Sequence, residues 1–245
     1  MCTVTFIATQ DQYYLSSNRD EHYSRGKALV PATQVNENGT MLLYPKDPDA
    51  GGTWLLARNN GDAAVLLNGA FDAHEKKGPY RKSRGLVLLD IAAETDMHGA
   101  FKHIDLTDIE PFTVILFTAR QLFECRWDGA EKHTKAMNIH ESYIWSSATL
   151  YNEQARIKRE GWFNAWKENY PAPTREDILY FHRHTGNTDR HNGLVMNRSN
   201  QVRTVSISCI SLNSSGAELF YTDLADQHSF NSFLANKFSH ADEKK

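Results

Sequence analysis

Cys2 carries the chemistry that the rest of this sequence must serve. It directly follows Met1 and becomes the first residue if that methionine is trimmed. Thiol and α-amine would then share one carbon, a nucleophile with a built-in base. In unperturbed peptides the amine titrates near ~7.8 and the thiol near ~8.5, so both change protonation close to neutrality. A guanidinium within ~4–6 Å lowers an acid's pKa by roughly 1–3 units, enough to make the thiolate a major species.

The cation is supplied by Asn18-Arg19-Asp20-Glu21. Residues 3–8 and 12–17 read as two strands around a polar turn at Gln10-Asp11. Partner numbers in an antiparallel hairpin sum to a constant. A turn centred between Gln10 and Asp11 sets Arg19 opposite Cys2; a three-residue turn on Asp11 sets Asp20 there instead. Either register returns the acidic-basic cluster to the start of the chain.

Other candidates lie farther along. Asn59-Asn60-Gly61 between two apolar runs signals a hairpin. The second run ends at Asn68, either a turn-former before Gly69 or an amide donor suited to an oxyanion. Tyr143-Ile144-Trp145 reads as a short strand with Ser146-Ser147 at its end; Ser147 or Thr149 could equally cap the next helix. His182-Arg183-His184 and Asp189-Arg190-His191-Asn192 fit no zinc-finger or two-histidine helical spacing, so local loop structure is expected and no metal. Cys125 and Cys209 sit in strand-like runs as small buried hydrophobes, and three sparse cysteines make no disulfide framework.

Composition bounds the rest. The 245 residues are 40% hydrophobic and 23% charged, with a net charge of −3 and no basic block, so nucleic acid is not an expected partner. No apolar run approaches the ~20 residues of a membrane span. The first ten residues lack a secretory signal, which makes the cytoplasm the expected compartment. No linker divides the chain, so one domain over residues 1–245 is expected, with 240–245 a solvated tail.

The elements that must position these residues follow in order. Residues 22–50, with three prolines, read as loop with one short strand at 40–44. Residues 71–82 read as a solvated basic loop. A helix opens at Ser83-Arg84-Gly85 and ends near Met97-His98-Gly99. Strands are expected at 112–118, 122–127 and 132–137, helices from Asn152 to Asn169 and from Thr174, and a closing hairpin from 201–208 and 217–222.

Met1-Cys2, Asn18-Arg19-Asp20-Glu21 with Tyr23 and Arg25, Gly51-Gly52-Thr53-Trp54-Leu55, Gly61 with Asn68, Ser83-Arg84-Gly85 and Arg203-Thr204 occur in that order. This set resembles the NRDE-motif family, that of transport and Golgi organisation protein 2, over residues 1 to about 225. That family resembles the N-terminal nucleophile (Ntn) hydrolases, including penicillin V acylase and bile salt hydrolase. The resemblance implies an α+β fold, a four-layer αββα sandwich of two antiparallel sheets. It implies Cys2 as nucleophile, Arg19 and Asp20 as orienting groups, Asn68 as oxyanion donor, and Arg203 as a cation near the site. Asn18, Glu21, Trp54 and Ser147 complete the expected substrate-side set. Gly26 stands where proline is usual, Leu67 where threonine is, and Ser147 where a second asparagine is. Two functions are implied: hydrolysis of a non-peptide amide of a small acylated substrate, or non-catalytic carriage of an amphipathic ligand of acyl-lipid or haem type. No C-x-x-C-H signature is present for covalent haem, and no cofactor is expected.

Overall fold

The computed structural model describes residues 2–198 and 201–237; the expected tail at 240–245 lies outside them. Two antiparallel seven-stranded sheets pack face to face. In the first, β1 (Cys2–Ala8) and β2 (Tyr13–His22) form the expected hairpin. The sheet's order is β10 (Tyr143–Ser146), β1, β2, β12 (Val202–Asn213), β13 (Gly216–Asp223), β14 (Ser229–Ala235), with the short β11 (Asn197–Arg198) also pairing β12. The second sheet is a sequential meander: β3 (Leu29–Val35), β4 (Met41–Lys46), β5 (Leu55–Arg58), β6 (Ala63–Asn68), β7 (Phe112–Thr118), β8 (Gln121–Trp127), β9 (Lys132–Met137).

Period-two alternation sorts side chains between faces. Val4, Phe6 and Leu15 point between the sheets and join Leu55, Val65, Ile115 and Ile210 there. Burying each such side chain stabilises by roughly 1.5–3 kcal/mol. The outer face of the first sheet lies under α3 (Glu153–Asn169) and α4 (Arg175–His184), where Ile7 and Tyr14 pack with Phe163, Ile178 and Phe181. The outer face of the second lies under α1 (Arg84–Ala93) and α2 (Met97–His103), where Leu56, Ala64 and Leu116 meet Val87, Leu88, Ile91 and Phe101. The layers are therefore helix, sheet, sheet, helix. The nearly continuous apolar run of β6 is explained by cover on both sides.

Four expectations are corrected. Leu29–Val35 is a strand rather than loop; Pro31 is tolerated because β3 is a sheet edge. The helix opening at Ser83 ends at Ala93, and a second begins at Met97, where Asp96 caps by accepting from the His98 N–H. His182-Arg183-His184 is the last turn of α4 rather than loop, and that helix begins with a capping box between Thr174 and Asp177. The final hairpin gains a third strand, β14.

Candidate active site

Cys2 and Arg19 are direct cross-strand partners, the register set by the turn centred between Gln10 and Asp11. On its other side β1 pairs with β10, and the backbone N–H of Ser147 donates to the Cys2 carbonyl at 3.0 Å. Cys2 is 1% exposed, yet it lines a cavity of about 610 Å³ walled by strands of both sheets, the 71–82 loop and the start of α1. Arg19, Glu21, Trp54 and Asn68 line the same cavity.

The Arg19 guanidinium lies 4.2 Å over the Trp54 ring, a cation–π contact made stronger by burial. It also donates to Asp47, a residue that no sequence argument singled out. Asp47 Oδ2 accepts a second guanidinium from Arg25 at 2.9 Å, while its Oδ1 accepts the N–H groups of Asp49 and Ala50, both at 3.0 Å. Burial alone would raise the Asp47 pKa; the Ala50 N–H and the two guanidinium groups outweigh it and hold the carboxyl below its usual range. Glu21 Oε1 lies 3.8 Å from Arg19. Arg19 is thus fixed by a ring on one side and carboxylates on the other.

Asn68 closes β6, and the chain turns at Gly69 with φ +79, a conformation that favours glycine. The Asn68 side-chain amide forms no hydrogen bond among the described residues, so it is free to donate. Ser147 is fully buried and does not line the cavity; its hydroxyl donates to the Asn68 carbonyl at 2.9 Å and meets Thr149 Oγ1 at 3.0 Å. Thr149 reaches the cavity instead. Neither Ser147 nor Thr149 caps the next helix, because Asn152 does.

Asn18 and Asp20 are not brought to the cavity, because strand alternation turns them to the opposite face. The Asn18 amide donates to the carbonyls of His182 and Leu194 at 2.9 and 2.8 Å. Its oxygen accepts from His182 Nδ1, leaving Nε2 to accept from Thr5 Oγ1 at 2.8 Å. Burial, and then the nearby Arg159, push the His182 pKa down to about 3, so the ring is neutral. Asp20 accepts from Tyr151 Oη and Thr204 Oγ1, both at 2.7 Å. Burial nonetheless raises its pKa, against Arg159 and these two donors. Arg203 also lies outside the cavity lining, its guanidinium 4.3 Å over the Tyr23 ring.

The 71–82 loop, expected to be merely solvated, supplies His74, Lys76, Tyr80 and Lys82 to the cavity wall. Arg84 and Glu110 complete that side, paired at 3.1 Å. Burial lowers the Arg84 pKa, partly offset by Glu110, Glu21, Tyr80 and Cys2. Among the described residues no cluster of three or more His, Cys, Asp or Glu side chains could hold a metal, and no helix is long and apolar enough to cross a membrane.

A family model described as Transport and Golgi organisation 2 matches residues 1–205. The chain belongs to that family. A search of curated proteins returns no match. Among solved structures, a cysteine-to-alanine mutant of the conjugated bile acid hydrolase from Clostridium perfringens is similar over 96% of this chain and 92% of its own, with TM-score 0.61 and 13% identity. A Caenorhabditis elegans ortholog of N-acylethanolamine-hydrolyzing acid amidase is similar over 85% of this chain and 92% of its own, with TM-score 0.58 and 12% identity. At such identities the likeness is one of fold. The family member described here has the Ntn-hydrolase fold.

Proposed function

We propose that this protein, once Met1 is removed, is an N-terminal cysteine hydrolase that cleaves the amide C–N bond of a small acylated substrate. The observation that carries the reading is the pairing of Cys2 with Arg19 at the wall of a cavity that also receives the Asn68 amide. Two solved structures of the same fold are named for hydrolysis of conjugated bile acids and of N-acylethanolamines, which supports an amide as the bond attacked.

The freed α-amine takes the thiol proton, and the sulfur attacks the substrate carbonyl carbon. The carbonyl oxygen becomes an oxyanion, to which Asn68 donates. Collapse breaks the C–N bond, the amine passes its proton to the leaving nitrogen, and a thioester remains on Cys2. Water, deprotonated by the same amine, attacks the thioester, and the acid leaves as the thiol is restored. Arg19, the cross-strand partner of Cys2, supplies positive charge on the same cavity wall throughout. Asp47 holds Arg19 in place, and Asp20 acts from the far face of the ribbon, on its positioning rather than on substrate.

One observation favours the second reading, a carrier without turnover. The Ser147 hydroxyl is committed to the Asn68 carbonyl and offers no second donor to an oxyanion. Loss of one such donor costs about 10²–10³ in rate. Two measurements separate the readings. Intact mass shows whether Met1 is removed. A thiol-reactive acyl probe then labels Cys2 stoichiometrically, and loses all labelling in Cys2→Ala, if the site is catalytic. An unlabelled Cys2 beside saturable ligand binding sinks the hydrolase and leaves the carrier.

A further inference from the structure

Along its strand order each sheet has two ends, β10 and β14 in the first, β3 and β9 in the second. An end strand exposes unpaired N–H and C=O groups, which invite a further strand unless something guards them. Three of these ends are guarded. β10 is only 4 residues long. β9 carries Lys132 and Lys135. β3 carries Pro31 and a register irregularity between Leu29 and Ala32. β14 has none of these devices. Its sequence, Ser229-Phe230-Asn231-Ser232-Phe233-Leu234-Ala235, holds no charge and no proline, and it pairs with β13 in unbroken register from end to end.

The hydrogen bonds at its two ends fix which way the β14 backbone faces. The Asn236 N–H donates to the Ser215 carbonyl at 2.9 Å, and the Asp223 N–H donates to the His228 carbonyl at 3.0 Å. Hydrogen-bonded and non-hydrogen-bonded pairs alternate along an antiparallel ladder. Even-numbered residues of β14 therefore spend their N–H and C=O on β13. Ser229, Asn231, Phe233 and Ala235 point theirs away from the sheet, and all of these residues are exposed. Among the described residues no strand lies on that side.

The side chains around this edge are apolar where they should be polar. Phe230 and Phe233 on β14 are exposed. β3, the end of the other sheet, packs against β14, and its Leu29, Val30 and Val35 are exposed as well. β9 and β10, on the opposite flank of the sandwich, expose no large apolar side chain. A stable interface buries roughly 1,200–2,000 Å², more than one strand offers, and the side chains of β3 widen the patch.

We infer that β14 is the docking edge for a second copy of this chain, which adds antiparallel about a twofold axis and joins the two first sheets into one. The backbone directions set the register. With the axis at Ser232, Ser229 meets Ala235 of the other copy and Asn231 meets its Phe233, so every outward N–H and C=O of both strands gains a partner. A shift by two residues keeps the faces matched but leaves end groups unpaired. The faces agree too: Phe230, beside Tyr221, lies opposite the core residue Leu234 of the other copy. An uncharged strand suits a copy of itself, because a twofold would set the like charges of a strand such as β9 near one another. The inference is independent of whether Cys2 turns over.

Sedimentation velocity from about 1 to 200 µM should show a species of twice the chain mass whose fraction rises with concentration. Asn231→Pro deletes an outward N–H on an edge where proline is tolerated, and Phe233→Lys installs a guard. Each change acts twice per dimer and should raise the dissociation constant at least about tenfold. Tyr180→Lys, at a similarly exposed position on α4, should leave it unchanged. Cross-linking reads the register in a Cys2→Ala background, whose remaining cysteines are buried. Ser232→Cys faces its own copy as a non-hydrogen-bonded pair, with Cα atoms ~4.5 Å apart and within disulfide reach, and should oxidise to a covalent dimer. Ser229→Cys, roughly 20 Å from its copy at ~3.4 Å per residue, should not. A chain that stays monomeric throughout, or equal cross-linking at both positions, overturns the inference. In such a monomer, exchange-protected amides at Asn231 and Phe233 would assign the edge to the chain's own residues 238–245, and open ones would leave it to a foreign strand.

Discussion

The two faces of the β1–β2 ribbon use neighbouring residues for opposite purposes. On the inner face, Cys2, Arg19 and Glu21 border open volume, and Cys2 has no hydrogen-bond partner for its sulfur among the described residues. On the outer face, Thr3, Asn18 and Asp20 are wholly buried and every one is bonded, to Arg159, His182 and Tyr151 among others. Arg159 ties this layer together, donating to Thr3 and to the carbonyls of Asn192 and Gly193 and stacking 3.5 Å over Tyr151. A four-residue motif is thus split by strand alternation into a cavity-facing pair, Arg19 and Glu21, and a buried, hydrogen-bonded pair, Asn18 and Asp20. Substitutions on the outer face should change stability first, and those on the inner face reactivity first.

The sharpest way to break this contrast is Arg159→Met. It leaves Asp20 buried without its compensating charge and three acceptors unpaired, so about 3–5 kcal/mol of unfolding free energy should be lost in urea titration. A loss under 1 kcal/mol would mean that the outer network is not structural. On the inner face, Asn68→Ala should lower acyl-enzyme formation by about 10²–10³ while moving the unfolding free energy by less than about 0.5 kcal/mol. Stopped-flow labelling of Cys2 beside a urea curve reads both.

Acid should act through the outer face. His182 is neutral when folded, with a pKa near 3, whereas the unfolded ring titrates near ~6.5. The unfolded state therefore takes up the proton first, and stability falls as pH drops from ~6.5 toward 3, by about 1.6 kcal/mol between pH 6.5 and 5. Asp20 opposes this. Its raised folded pKa returns a proton to the native state on acidification and offsets part of the loss. Urea midpoints at the two pH values should show the decline, and His182→Gln, less stable overall, should flatten it. The smallest effect is expected of Tyr151→Phe, which removes one of the two hydroxyl donors to Asp20 and should cost about 1.5 kcal/mol.

Much of this was legible from hairpin arithmetic and strand patterning. The pairing of Cys2 with Arg19 needed only the turn position, and the faces of Asn18 and Asp20 follow from the same alternation, a signal that grouping the four residues as one cluster hides. The outer partners Arg159, Tyr151 and His182 lie more than 130 residues away, and no local pattern announces them. Asp47 was equally hidden. It sits between Lys46 and Pro48 and looks like turn chemistry until folding brings it under Arg19. Asp96 before Met97 was a readable capping signal for the second helix, and the polar run Glu94-Thr95-Asp96 a readable break between the two.

The wiring of the two sheets has a consequence for synthesis. The meander from β3 to β9 zips together from neighbours in sequence, whereas β2, the strand that carries Arg19, borders β12 nearly two hundred residues later. A growing chain made at about 5–20 residues per second would carry Cys2 for many seconds before that flank exists. Until β12 docks, Asp20 lacks the Thr204 hydroxyl and one side of the ribbon is a bare edge. That flank of the ribbon is therefore completed only by the last fifth of the polypeptide.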